Sequence, residues 1–154
     1  MYRPLLLIPV ALLALSAGAE AQSQVVRSAG DTKFGAPPPF LAPGAGFAVL
    51  QGDPGASGEF TIRLSLPSGY IIAPHWHPTD ENVTVISGTL IVGMGDEIVR
   101  GDATQLTAGG FITAPANMHH YAVAVGKTVV QVHGTGPFAI TYVKAKDDPQ
   151  TASR

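Results

Sequence analysis

The chain has no cysteine. Disulfides, thiolate nucleophiles and cysteine-ligated zinc or iron–sulfur sites are therefore excluded. Charge is also scarce: Asp, Glu, Lys and Arg make up 13% of the residues, against about 25% in an average domain. The balance is 9 basic to 11 acidic residues, a net charge of −2. With no basic excess and no Lys/Arg cluster, there is no electrostatic footprint for nucleic acid, and none is expected as a partner. No apolar run approaches the roughly 20 residues of a membrane-spanning helix. Hydrophobic residues still reach 45%, too many for an intrinsically disordered chain. Glycine and proline are plentiful instead, 18 and 13 of 154 residues. That density points to short elements joined by tight turns, not to helices. The length suits one domain with tails.

The N-terminus has the layout of a cleaved export signal. Arg3 precedes the apolar run 5–17 (LLLIPVALLALSA), and Ala19-Glu20-Ala21 forms a small-x-small cleavage site. Residues 1–21 are expected to be a signal peptide, cut after Ala21. The mature protein would be secreted or periplasmic, with no stable membrane insertion, because the run is too short to span. A twin-arginine pair is lacking, which favours general secretion. Residues 22–46 include Pro37-Pro38-Pro39 and read as an extended arm. Residues 144–154 (KAKDDPQTASR) are polar and read as a flexible tail. An exported chain without disulfides needs another source of rigidity, and a bound metal is one.

Between them, residues 47–143 read as a run of short strands. Residues 59–66 alternate, with Phe60, Ile62, Leu64 and Leu66 on one face and Thr61, Arg63 and Ser65 on the other. Further strands are expected over 47–51, 70–77, 82–86, 89–92, 98–99, 103–106, 110–114, 121–125, 128–133 and 138–143, with a turn at Ser87-Gly88. No segment has a convincing 3.6-residue period. About ten short strands at this spacing indicate an all-β antiparallel sandwich or barrel.

All five histidines fall between 75 and 133. His75 and His77 are two apart in a strand pattern, so both imidazoles share one face and reach one ion. Glu81 follows past Pro78. His119 and His120 lie some forty residues on, where a barrel brings a second strand alongside. Neighbours in a strand point to opposite faces, so only one of His119 and His120 enters the lumen.

These residues carry a resemblance. Gly69, five residues, His75, one, His77, three, Glu81, six, Gly88 matches the first signature of the cupin superfamily at every fixed position. Gly109, five residues, Pro115, one, Asn117, two, His120 resembles the second. Asn117 stands where that signature has glycine, and Asn is the residue that best replaces glycine at positive φ. Ala124 stands where the family has a final asparagine, which touches strand-end bonding, not ligation. The resemblance implies an antiparallel double-stranded β-helix, the cupin or jelly-roll barrel. It also implies metal ligands at His75, His77, Glu81 and His120.

Three imidazoles and a carboxylate suit one divalent transition metal (Fe, Mn, Ni, Cu or Zn) and not Ca or Mg. Such a set leaves open coordination positions for a small-molecule ligand or substrate. The ligands must be deprotonated, so binding is expected to weaken as pH falls through about 6. Gln131 and His133 share one face of 128–133, opposite Val130 and Val132. That face either looks into the barrel, where both would orient a ligand or substrate, or faces solvent. His119 is a third such candidate. Trp76 must point away from its histidine neighbours, and Tyr70 and Tyr121 read as core residues.

The resemblance covers dioxygenases, isomerases, decarboxylases, lyases and non-catalytic binders, so fold does not fix the reaction. A dioxygenase-type oxidoreductase is expected, with Glu81 as ligand and base. The alternatives are a binding protein without turnover and an O₂-independent isomerase or lyase. A homodimer is expected, with the arm around 34–41 swapping or packing across it.

Overall fold

The structure is a computed structural model that describes residues 24–151. The segment 1–21, expected to be a signal peptide, and the last residues of the tail lie outside the described residues. Among the described residues there are eight antiparallel strands: β1 (Gly46–Gln51), β2 (Gly58–Leu66), β3 (Ile71–Trp76), β4 (Glu81–Met94), β5 (Thr104–Thr107), β6 (Phe111–Ala114), β7 (His120–Gly136) and β8 (Thr141–Tyr142). No helix among the described residues is long and apolar enough to cross a membrane.

Two long strands organise everything else. The first half of β4 pairs with β6 and with the second half of β7, which in turn pairs with β2. The second half of β4 pairs with β5 and with the first half of β7, which pairs with β3. β4 and β7 therefore run through both halves. One layer reads β1-β2-β7-β4-β6 and the other β8-β3-β7-β4-β5, an arrangement that rolls a single sheet around an apolar interior. Alternation fills that interior: Phe60, Ile62, Leu64, Leu66, Val83 and Val85 are all buried.

The separate strands expected at 82–86 and 89–92 are one continuous strand. Ser87-Gly88 is a bulge within it, where the register with β7 shifts. Gly88 has φ +82° and lies against the Lys127 carbonyl and Thr128 of the opposing bulge. Thr128 is fully buried there, its hydroxyl bonded to the Thr89 carbonyl and accepting from the Thr89 N–H. Facing bulges bend both strands sharply without ending either. The same reason merges 121–125 with 128–133. Residues 98–99, expected as a strand, form a loop instead. It is held by Tyr121, whose hydroxyl donates to the Val99 carbonyl and accepts from the Val99 N–H. Tyr121 is buried as expected, but beneath this loop and against Gly93. Of 138–143, only Thr141–Tyr142 is strand.

The described part of the expected arm, 24–46, docks on its own chain. Gly35 pairs with Phe47, and Leu41 and Ala45 are buried in the core cluster. The Tyr70 and Tyr142 hydroxyls donate to the Ala42 and Phe40 carbonyls. Burial pushes the Tyr70 phenol up to about 12, so it remains a donor.

Candidate metal centre

Three imidazoles reach the interior from one layer. His75 lies on β3, His77 just past its end, and His120 opens β7, paired with His75. Glu81 opens the first half of β4 and arrives from the other layer. The three histidines are each 2–3% exposed. Their donor atoms and those of Glu81 all lie within 4.8 Å of one another. Specific separations are 3.1 Å between His75 Nε2 and His77 Nε2, 3.2 Å between His120 Nε2 and Glu81 Oε2, and 3.6 Å between His77 Nε2 and Glu81 Oε2. Bonds of about 2.1 Å to one ion separate neighbouring donors by about 3.0 Å in an octahedral shell and about 3.4 Å in a tetrahedral one. The cluster fits a transition ion.

The backbone sets which nitrogen is free. His75 Nδ1 lies 2.7 Å from the Ala73 carbonyl, His77 Nδ1 2.8 Å from Ala139, and His120 Nδ1 2.9 Å from Met118. A carbonyl only accepts, so each Nδ1 carries its proton and donates it. Each ring, in the neutral form a metal requires, then turns its Nε2 lone pair inward. Two such lone pairs 3.1 Å apart, on His75 and His77, repel unless a cation sits between them. Phe138 stacks on the His77 ring at 4.3 Å and 17° and fixes its plane. None of these carbonyls, nor Phe138, carries a sequence signal for this role.

Burial, reinforced by the neighbouring His120 and His77, lowers the His75 pKa to about 3. Burial alone would raise Glu81, but hydrogen bonds and charge from His120 and His77 outweigh it and hold the carboxyl well below its usual range. Burial also opposes a charge on His120, yet Glu81 overrides it and raises that pKa. In the metal-free protein Glu81 thus favours the protonated form of His120, and an entering ion displaces that proton. The His120 pKa is raised, so this proton competes at and below about pH 6.5. Metal affinity is expected to fall roughly tenfold per pH unit in that range. A chelator-competition titration between pH 8 and 5 measures it, and a flat profile contradicts it. The His75 shift acts on the fold with the opposite protonation preference. Its folded pKa is depressed, so its contribution is present above about pH 6.5 and is lost as pH falls toward 3.

The other sequence candidates lie elsewhere. Gln131 and His133 are on the outer face, because alternation along β7 turns Val130 and Val132 inward. Gln131 accepts a hydrogen bond from Arg63, which also donates to Thr32 of the arm. His133 is exposed, 6.5 Å from the Phe111 ring. His119 also faces out, with Nδ1 2.6 Å from Asp96. None of the three touches the cluster. Trp76 is half-buried and alternates with His75 and His77. Asn117 does have positive φ, 62°, and its N–H donates to the His77 carbonyl, tying the second motif to the first.

Beside the donors is a cavity of about 30 Å³, lined by His75, Glu81, His120 and otherwise aliphatic side chains from both layers.

Residues 62–135, spanning both histidine segments, match the family described as Cupin domain. This segment is a cupin domain. Solved structures similar to this cupin include the polyketide cyclase RemF from Streptomyces resistomycificus. It is 19% identical, with a TM-score of 0.66 over 86% of this chain and 92% of that one. A candidate acetylacetone dioxygenase from Methylibium petroleiphilum PM1 is 20% identical, with a TM-score of 0.63 over 85% and 89%. An RmlC-like cupin from Shewanella frigidimarina is 16% identical, with a TM-score of 0.57 over 75% and 94%. At these identities the likeness extends to the fold alone. No curated protein matches this cupin in sequence.

Proposed function

We propose that this cupin is an exported metal-dependent oxidoreductase of dioxygenase type acting on a small organic molecule. The observation that carries the proposal is the convergence of three Nε2 lone pairs and one carboxylate, all within 4.8 Å of one another, at the wall of an apolar cavity. His75, His77, Glu81 and His120 would hold one divalent transition metal. When bound, such an ion supplies Lewis acidity and, if redox-active, a path for electrons from an organic ligand to O₂.

The chain's own groups set the terms. The Ala73, Ala139 and Met118 carbonyls keep the rings oriented, and the aliphatic wall excludes water. Glu81 is the carboxylate on the cavity, and its side chain is 12% exposed. Glu81 Oε2 points into the donor cluster, so Glu81 would take a proton from a ligand's acidic C–H or O–H only after loosening from the other donors, and would then exchange it with solvent. The fold shared with a candidate acetylacetone dioxygenase supports the reading as analogy. Arg3, the apolar run 5–17 and Ala19-Glu20-Ala21 support export.

The test loads the protein separately with Fe(II), Mn(II), Ni(II), Cu(II) and Zn(II) and follows O₂ uptake with small diketones and polyphenols. Uptake is expected with one or more redox-active ions. Turnover without O₂ replaces this reading with isomerase or lyase chemistry. Metal binding without any turnover makes the protein a binder, a role favoured by the lack of further acid–base groups on the cavity wall. Export predicts Gln22 as the N-terminus of the secreted protein.

A further inference from the structure

The metal-directed donors account for three of the side chains around the cavity, and every other lining residue is Leu, Ile, Val or Ala. Both layers supply them: Leu64, Val83 and Val132 from one, Ile72, Leu90 and Val92 from the other. No Lys or Arg lines the cavity, and two basic side chains are engaged outside it. Arg63 bonds Gln131 and Thr32, and Lys144 pairs with Glu97. The buried hydroxyl of Thr128 is engaged with Thr89, and the phenols of Tyr70 and Tyr142 with the arm. Among the described residues, every buried side-chain nitrogen and oxygen has a partner. The cavity therefore offers polar recognition at one end and hydrocarbon everywhere else.

We propose that the site takes a ligand whose sole polar part is the end that reaches the four donors, and whose remainder is an uncharged hydrocarbon body. This rests on the metal reading above. A divalent ion with three neutral imidazoles and ionised Glu81 retains one positive charge, so the metal-directed end carries at most one negative charge. A second carboxylate on the body would be buried without a partner, which is strongly unfavourable. A hydroxylated body, as in a sugar acid, leaves its hydroxyls equally unpaired. The cavity, about 30 Å³, is small, which limits the body to a few carbons.

The test uses the full chain loaded with Cu(II) and reads Kd from the shift of its visible absorption. Probes share one hydroxamate end. 3-Methylbutanohydroxamate carries an isobutyl body, and malonomonohydroxamate puts a carboxylate in the same shape. The isobutyl compound is expected to bind at least tenfold more tightly. In the series from acetohydroxamate to the four-carbon body, affinity is expected to rise about fourfold per carbon, then to fall for octanohydroxamate. Equal or tighter binding of the carboxylated probe overturns the inference, as does a series flat in chain length. Copper uptake with no spectral response to any hydroxamate also overturns it and leaves the metal centre standing. Failure to take up copper or any other divalent transition ion removes both.

Discussion

His77→Ala is expected to lower the affinity for a divalent transition ion by at least about a hundredfold, and Trp76→Phe to leave it unchanged. The first change removes one of four converging donors from a closed cluster whose other members cannot move to replace it. His75 and His120 are each held through Nδ1 to a carbonyl and paired in register across two strands. Moving a ring merely out of alignment in a metal site already costs 10–100-fold, so deleting one costs more. Thermal melts report the same loss. Free ion at a hundred times Kd stabilises the wild type by about 2.7 kcal/mol. At the same concentration a hundredfold weaker variant gains only about 0.4 kcal/mol. An alanine variant that keeps the full metal-induced rise in Tm removes His77 from the ligand set.

The second large effect is on folding. Gly88→Ala is expected to destabilise the protein by roughly 3 kcal/mol or more, from a left-handed backbone penalty of about 1–2 kcal/mol and overpacking of about 1–3 kcal/mol. The added Cβ would sit 2.4 Å from the Lys127 carbonyl and 2.8 Å from Thr128 Cα. Both are backbone atoms of the facing bulge, so neither yields as a side-chain tip would. Gly126→Ala is the control. Gly126 also has positive φ, +73°, but open space where a Cβ would go, so only the backbone penalty applies. Denaturant midpoints compare the two. Equal losses would show that close approach across the bend contributes nothing.

Gly88 also marks where the sequence misleads. Ser-Gly between two apolar stretches is an ordinary turn signal, and only the facing bulge at 126–128 turns it into a bend within a strand. Strand existence elsewhere was legible because alternation is local, as 59–66 shows. The donor set was legible because His75 and His77 obey strand parity and the resemblance placed Glu81 and His120. Gln131 and His133 were ambiguous for the same reason as Gly88. With 121–125 and 128–133 read as separate strands, parity could not be carried across. In the continuous β7, His120, Ala122, Ala124, Thr128, Val130 and Val132 turn inward, and of the even-numbered residues in that span only Gly126, at the bulge, is exposed. The carbonyls of Ala73, Met118 and Ala139 could not be foreseen, since every residue has one and only the fold selects which face a ring.

Those three carbonyls also bear on how the protein tolerates sequence drift. An orienting carboxylate can be lost by one substitution, whereas a main-chain oxygen persists under any side chain that preserves the local path of the chain. Positions 73, 118 and 139 can therefore vary in chemical character while the imidazoles keep their aim. Relatives of this protein can accordingly diverge around the rings and still share the same inward set of nitrogen lone pairs.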